Sequence, residues 1–243
     1  MSFGKAPLAI DAYLGKAKNR IAKVGVELEG GWKVVPPGIE LHHDGSVAVS
    51  PPDGTRVRSG ELPSPPLLVK DFPVWMKQYY PSHVNATCGM HVHMSFESAL
   101  HYSRLMTPEY PATIVEYVRQ WATNEKLPAT HPIWDRVSGK SRYCRLEFDA
   151  DRQIRATSKA FTQDRPGHRY TVINFCYSYH GTLECRLLPM MDTAEQGIEA
   201  VQLILDITNA ALLSMKKKEE KVQAGVLVDS GMVGDQETFT EYA

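Results

Sequence analysis

Apolar and polar residues alternate in several short stretches of this chain, and the polar members of each stretch carry chemistry. Lys23-Val-Gly-Val-Glu-Leu-Glu29 puts Val24, Val26 and Leu28 on one face of a strand and Gly25, Glu27 and Glu29 on the other. Cys88-Gly-Met-His-Val-His-Met-Ser95 separates Met90, Val92 and Met94 from His91 and His93 in the same way. Thr171–Pro189 reads as two strands joined at His180-Gly181. Before the turn Ile173, Phe175, Tyr177 and Tyr179 form a bulky row, and Asn174, Cys176 and Ser178 a small polar one. After it Leu183, Cys185 and Leu187 share the apolar face, while Glu184 and Arg186 point together to the other side. Successive side chains of a strand face opposite sides, so these assignments follow from the period of two alone.

Between these strands the signals are turns. Gly30-Gly31 predicts a break, with Trp32–Val35 as a short strand after it. Asp44-Gly45-Ser46 separates Ile39–His43 from Val47–Val49, which predicts a meander of short antiparallel strands. Glu61 precedes the Pro-rich exit Leu62-Pro63-Ser64-Pro65-Pro66, and because proline cannot donate to a ladder, Glu61 is expected at the end of a strand. Helices are predicted over 67–80, entered or broken at Pro73, over 108–127, with Ile114, Val115, Val118 and Trp121 as its stripe, and over Glu195–Met215. The segment 136–169 carries seven arginines, namely Arg136, Arg142, Arg145, Arg152, Arg155, Arg165 and Arg169. It reads either as a solvated insertion or as a mobile basic lid closing on phosphates, with Arg169 as its candidate phosphate-binding residue. Residues 225–243 are expected to form a loose tail or an arm on another subunit.

Composition narrows the partner. A chain of 243 residues suits one large domain or two small ones, and we read it as one. Its core spans about 23–215, with the Arg-rich insert or lid at about 135–170 and the tail at about 225–243. The 27 Lys+Arg nearly balance the 28 Asp+Glu, which argues against nonspecific binding to nucleic acid or a membrane and leaves a small molecule as the expected partner. Cys88, Cys144, Cys176 and Cys185 show no Cys-x-x-Cys spacing, so reduced, packing thiols are expected. No apolar run has signal-peptide or membrane-span length, and a cytoplasmic location is the expectation.

Each polar pair alone has a plain reading. Glu27 and Glu29 lie about 7 Å apart on one strand face and either meet open water or share a cation. Paired histidines on a strand are commonly exposed, though they can also bind one cation. Cys88 and His91 are three residues apart, a poor geometry for a nucleophile and its base. If the strands form one sheet with these faces aligned, Glu27, Glu29, Glu61, His91, His93, Glu184 and Arg186 share a site. Oxygen-rich ligation with some imidazole favours Mg²⁺ or Mn²⁺, and a divalent ion beside an arginine suits a nucleoside triphosphate. Neither common Gly-rich phosphate loop is present, so any nucleotide must be held by the sheet itself.

The ordered set Gly-Val-Glu-Leu-Glu29, Asp44-Gly-Ser46, Gly-Glu61-Leu-Pro-Ser-Pro-Pro66, Cys-Gly-Met-His-Val-His93, Asn174 and Gly-Thr-Leu-Glu-Cys-Arg186 resembles the amidoligase family of the carboxylate–amine ligases. That superfamily includes glutamine synthetase and glutamate–cysteine ligase. The resemblance runs from about residue 23 to 190. It implies an α+β fold in which a curved antiparallel sheet forms a funnel, with helices on the convex face and ATP with two or more Mg²⁺ ions on the concave one. It also implies Glu27, Glu29, Glu61, His91 and Glu184 as metal ligands, and His91, His93, Asn174 and Arg186 as nucleotide-binding residues; the Arg-rich segment with Arg169 matches no motif of the family. Glu27, Glu61, Glu184 and Arg186 would be the catalytic set. The implied reaction converts a carboxylate to an acyl phosphate, which an amine attacks to give an amide. The partners would be a small-molecule or peptide carboxylate and an amine donor, with nucleic acid only as a modified-base substrate and a homo-oligomer left open. The alternatives are a same-fold phosphotransferase acting on an amine or guanidine, a metal-dependent hydrolase, and a binding protein with a degenerate funnel.

Overall fold

The structure, a computed structural model, describes residues 3–148, 170–176, 181–223 and 225. Five strands form one open antiparallel sheet: β1 (Ile21–Trp32), β2 (Arg58–Pro63), β3 (Gly89–Phe96), β4 (Ile173–Cys176) and β5 (Thr182–Pro189), in the order β2-β1-β3-β5-β4. Helices α1 (Phe72–Tyr79), α2 (Ala99–Leu105), α3 (Glu109–Asn124), α4 (Ile133–Val137) and α5 (Ala194–Gln223) complete an α+β fold.

The alternation read from the sequence sets which face is packed. Val24, Val26, Leu28, Met90, Val92, Met94, Leu183, Cys185 and Leu187 are all buried and join one cluster with Tyr110, Ile114 and Val118 of α3 and Val201, Ile204 and Ile207 of α5. At about 25 cal/mol per Å², burial of this face is the main force holding the helices to the sheet. Buried polar atoms inside this layer are paired: Tyr110 Oη and Thr208 Oγ1 lie 2.8 Å apart, and Thr208 Oγ1 donates to Ile204 O at 2.7 Å. Helix α5 is long and apolar enough to cross a membrane, and 61% of its most apolar window is buried within the protein. All four cysteines are buried thiols.

Three expectations differ from the structure. Gly30 and Gly31 do not break the chain but continue β1 to Trp32, because neighbours pack where their side chains would be. A Cβ on Gly30 would lie 2.4 Å from Pro81 Cβ, and one on Gly31 2.7 Å from Val57 Cγ2. The predicted meander over Ile39–Val49 is coil touching β2 through one bridge, in which His42 N donates to Glu61 O at 2.8 Å and Glu61 N to His42 O at 2.9 Å. Its backbone is satisfied by side chains instead of a ladder: Asn85 Nδ2 donates to Ala48 O at 2.7 Å and Val49 N to Ser59 Oγ at 3.2 Å. The helix expected over 67–80 begins only at Phe72, where Pro73 occupies its first turn. The 108–127 helix appears as α3, and the Glu195–Met215 helix runs on to Gln223. Tyr177–His180, most of the Arg-rich segment with Arg152, Arg155, Arg165 and Arg169, and the tail from 226 lie outside the described residues.

Candidate functional site

Antiparallel registry brings the polar positions of four strands into line. Gly25 faces His93, His93 faces Glu184, and Glu184 faces Asn174, so one row crosses β1, β3, β5 and β4. Glu27 faces His91 in the adjacent row, and Glu29 faces Glu61 at the β1–β2 pair. A register shift between Met90 and Val92 marks a bulge in the β3–β5 pair. Glu61 lies two residues before the end of β2, close to the strand end that the proline run predicts.

The side chains meet. Glu27 Oε2 accepts from His91 Nδ1 at 2.9 Å, and Glu27 Oε1 stands 3.0 Å from His93 Nε2. Arg186 Nη1 donates to Glu184 Oε1 at 2.6 Å, and Asn174 Nδ2 donates to Glu184 Oε2 at 2.8 Å. Thr171 Oγ1 donates to Asn174 Oδ1 at 2.6 Å and so fixes the amide orientation. Glu29 Oε2 accepts a short hydrogen bond from Gly89 N. Thr182 Oγ1 lies 3.2 Å from His93 Nδ1 and orients that ring. Glu29, His91, Asn174 and Glu184 are buried, so the row is not a solvated sheet face.

Electrostatics follow this packing. Burial pushes the Glu27 carboxyl up, but hydrogen bonds and charge from His91 and His93 outweigh it and hold the group well below the ordinary carboxylate range. Burial likewise opposes ionisation of Glu184, and Arg186, with His93 and His91, outweighs it and holds it low. Burial depresses His93, yet contact with Glu27 and the charges of Glu27 and Glu184 raise it overall. Glu61 is pushed up to about 8 by burial and by the charges of Glu27, Glu29 and Asp44. Both shifts favour the protonated form, which on His93 adds positive charge among the acids and on Glu61 removes a negative one.

Two sets of donor atoms are close enough for a single cation to reach all three members. In Glu27, His93 and Glu184, and again in Glu29, Asp44 and Glu61, one atom per residue lies within 4.8 Å of the others. Both sets are rich in carboxylate and free of thiolate, as hard divalent ions prefer. His91, expected as a ligand, is not in either set: its Nδ1 is taken by Glu27, and its Nε2 stands 3.7 Å from Glu29 Oε1. Asp44 enters the sequence reading as a turn residue and as part of the ordered set, without a ligand role, since it sits in coil where no alternation reveals a face. Its Oδ1 accepts from Ser46 N and Ser46 Oγ, both at 2.7 Å, which holds the carboxylate against β2. Arg169 lies outside the described residues.

Beside the first set a groove of about 330 Å³ runs over Gly25, walled by Ser64, Pro66, Ser95 and Thr182, with Lys23 at its far end. The bare floor at Gly25 is what leaves it open: a Cβ there would meet His93 Cβ at 3.4 Å. No protein-family model, curated protein or solved structure matches this chain.

Proposed function

We propose that this chain is an ATP- and Mg²⁺-dependent carboxylate–amine ligase, built on an amidoligase-like curved sheet whose polar face is the interior of a funnel. The observation that carries the reading is the convergence of four carboxylates, two imidazoles and Arg186 on one face of one sheet, with Asp44 beside them from the adjoining coil, in the order the resemblance implies. In this reading Glu27, His93 and Glu184 would hold one Mg²⁺, or Mn²⁺, and Glu29, Asp44 and Glu61 the other. Bound there, Mg²⁺ would supply positive charge to offset the charge that develops in phosphoryl transfer. Thr182 would keep the His93 ring turned to its ligand, the usual task of a residue behind a metal-binding histidine. The groove over Gly25 would take the nucleotide, and its volume is within the range of small-molecule sites.

Arg186 is suited to the transferred phosphoryl group. One nitrogen is fixed on Glu184, and Nε is buried without a hydrogen-bond partner among the described residues. In the first step an oxygen of the substrate carboxylate attacks the γ-phosphorus, the bond to the bridging oxygen breaks, and its electron pair leaves with ADP. In the second the amine nitrogen attacks the acyl carbon, the bond from that carbon to the phosphate oxygen breaks, and inorganic phosphate leaves with the pair. The amine proton is released to solvent. The carboxylate belongs to a small molecule or peptide, the second partner is an amine donor, and a cytoplasmic location follows because Mg·ATP is supplied there.

Thermal unfolding with Mg²⁺ and a nonhydrolysable ATP analogue tests this reading. At ~100 times the dissociation constant, binding adds about 2.7 kcal/mol, roughly 5–10 °C for a chain of this size. The rise is expected in the native protein and is expected to vanish in a Glu27→Gln, Glu29→Gln double variant. No rise at saturating nucleotide in the folded native protein would sink the ligase reading.

A further inference from the structure

Helix α2 is short, but it carries one buried hydroxyl to the sheet. Ser98 caps the helix, its side chain accepting from Leu100 N at 3.2 Å, and Tyr102 and Leu105 are its buried residues. Only 5% of Tyr102 is exposed. Its ring meets Phe96, at the end of β3, edge to face, with centroids 4.9 Å apart and planes at 89°. Its Oη donates a short hydrogen bond to Gly181 O, just before β5. One side chain thus ties the last residue of β3 to the chain entering β5.

That tie falls where the backbone ladder gives out. β3 and β5 pair from Gly89–Pro189 to Met94–Leu183, and among the described residues the pairing stops there. Thr182, the next residue, is held by the ladder only from β4, through Cys176. Gly181 before it sits at φ +64°, a left-handed conformation that glycine adopts without strain. Thr182 nevertheless has a demanding position, since its Oγ1 stands 3.2 Å from His93 Nδ1 while His93 Nε2 stands 3.0 Å from Glu27 Oε1. With a carboxylate at Nε2 the ring carries hydrogen there, and the hydroxyl, able to donate or accept, suits Nδ1 whether or not that nitrogen is protonated.

We infer that Tyr102 is a positioning residue for His93. By fixing Gly181 it sets where Thr182 enters β5, and Thr182 in turn holds the His93 ring with Nε2 toward Glu27, in the donor set of Glu27, His93 and Glu184. Thr182 and His93 also wall the groove over Gly25, so the same hydroxyl fixes that wall. The inference rests on this chain of contacts, and on the reading of the donor set as a metal site only for the second of its two readouts.

Tyr102→Phe removes one hydroxyl and keeps the ring against Phe96. The first readout is ring-nitrogen NMR of His93 in metal-free full chain carrying isotope-labelled histidine; the second is Mn²⁺ affinity by electron paramagnetic resonance. Thr182→Val is expected to move the His93 Nδ1 resonance, Tyr102→Phe to move it the same way, and Thr182→Ser, which keeps the hydroxyl, to leave it in place. Mn²⁺ affinity is expected to fall roughly tenfold in Tyr102→Phe and in Thr182→Val, and no further in the double variant, because both act through one ring. A Tyr102 that merely stabilises α2 leaves the His93 resonances where they are, or adds its effect on Mn²⁺ to that of Thr182→Val. Either result in folded protein overturns the inference, and so does a Thr182→Val that leaves Nδ1 unmoved. If Tyr102→Phe does not fold, Gly181→Ala replaces it: its methyl meets nothing within 4 Å, but the left-handed backbone is strained and the same carbonyl shifts. Unchanged His93 resonances in that variant overturn the inference as well. Native protein that binds no Mn²⁺ removes the metal-site reading, and the resonances alone then decide the role of Tyr102.

Discussion

Glu61 faces Glu29 across β1 and β2 with Asp44 beside it, and burial with this crowding of acids pushes its carboxyl up to about 8. The unfolded chain holds the same group at its ordinary value of 4.5. Between those values the folded state keeps a proton that the unfolded chain has released, so stability falls as pH rises through the window. His93, raised by Glu27, loses stability in the same direction, whereas Glu27 and Glu184, held low, lose theirs only as pH drops below the ordinary carboxylate range. For Glu61 the loss is on the order of 2 kcal/mol after discounting for solvent screening, or roughly 4–8 °C. The melting temperature of metal-free protein is therefore expected to fall from pH 5 to 8.5, and clearly less so in Glu61→Gln; an equal fall in the variant would place the proton elsewhere. Which residues reach this face was legible where a strand's period of two fixes direction, as for Glu27, His93 and Glu184. Asp44 was not legible as a site residue because it sits in coil, and the burial of Arg136 was not legible because it comes only through the packing of α4.

At the scale of elements, β1 organises the molecule, and its two glycines are the part the sequence disguised. Gly-Gly reads locally as an interruption, yet here it lets Pro81 and Val57 press on a continuing strand. The reason is tertiary, since both neighbours come from segments distant in the chain. Gly30→Ala would force its methyl to 2.4 Å from Pro81 Cβ, on a ring that cannot swing away. The expected cost is about 1–3 kcal/mol or more, read as a lower urea midpoint. Gly45→Ala is the control, because a Cβ there meets nothing within 4 Å, and its midpoint is expected to stay within about 0.5 kcal/mol of the native value. Equal midpoints for the two variants would mean that β1 does not run through Gly30 as described. The strands carrying His91, His93, Glu184 and Arg186 were readable because the core needs one uninterrupted apolar face, which alternation records directly. The short helix α2 was not, since Ser98 caps it over seven residues that show no helical stripe long enough to detect.

Taken whole, the molecule is nearly neutral, with 27 basic against 28 acidic side chains, but its acids are not evenly spread. Glu27, Glu29, Glu61 and Glu184 gather on one sheet face with Asp44 beside them, answered by Arg186, which is paired with Glu184, and by Arg136 near Glu29. Like charges held together favour any cation, so stabilisation by Mg²⁺ alone does not establish a specific site; part of it is screening. The two effects separate by magnitude. Raising NaCl at pH 8 weakens repulsion between partly exposed acids and is expected to add less than about 1 kcal/mol. Mg²⁺ at the same ionic strength and ~100 times its dissociation constant is expected to add about 2.7 kcal/mol, roughly 5–10 °C, and EDTA to remove it. Glu184→Gln and Asp44→Asn should each abolish part of that difference, since each touches only one of the two donor sets. If NaCl at matched ionic strength reproduces the full Mg²⁺ effect, the face is an acidic surface without a metal centre, and the phosphoryl-transfer reading falls with it.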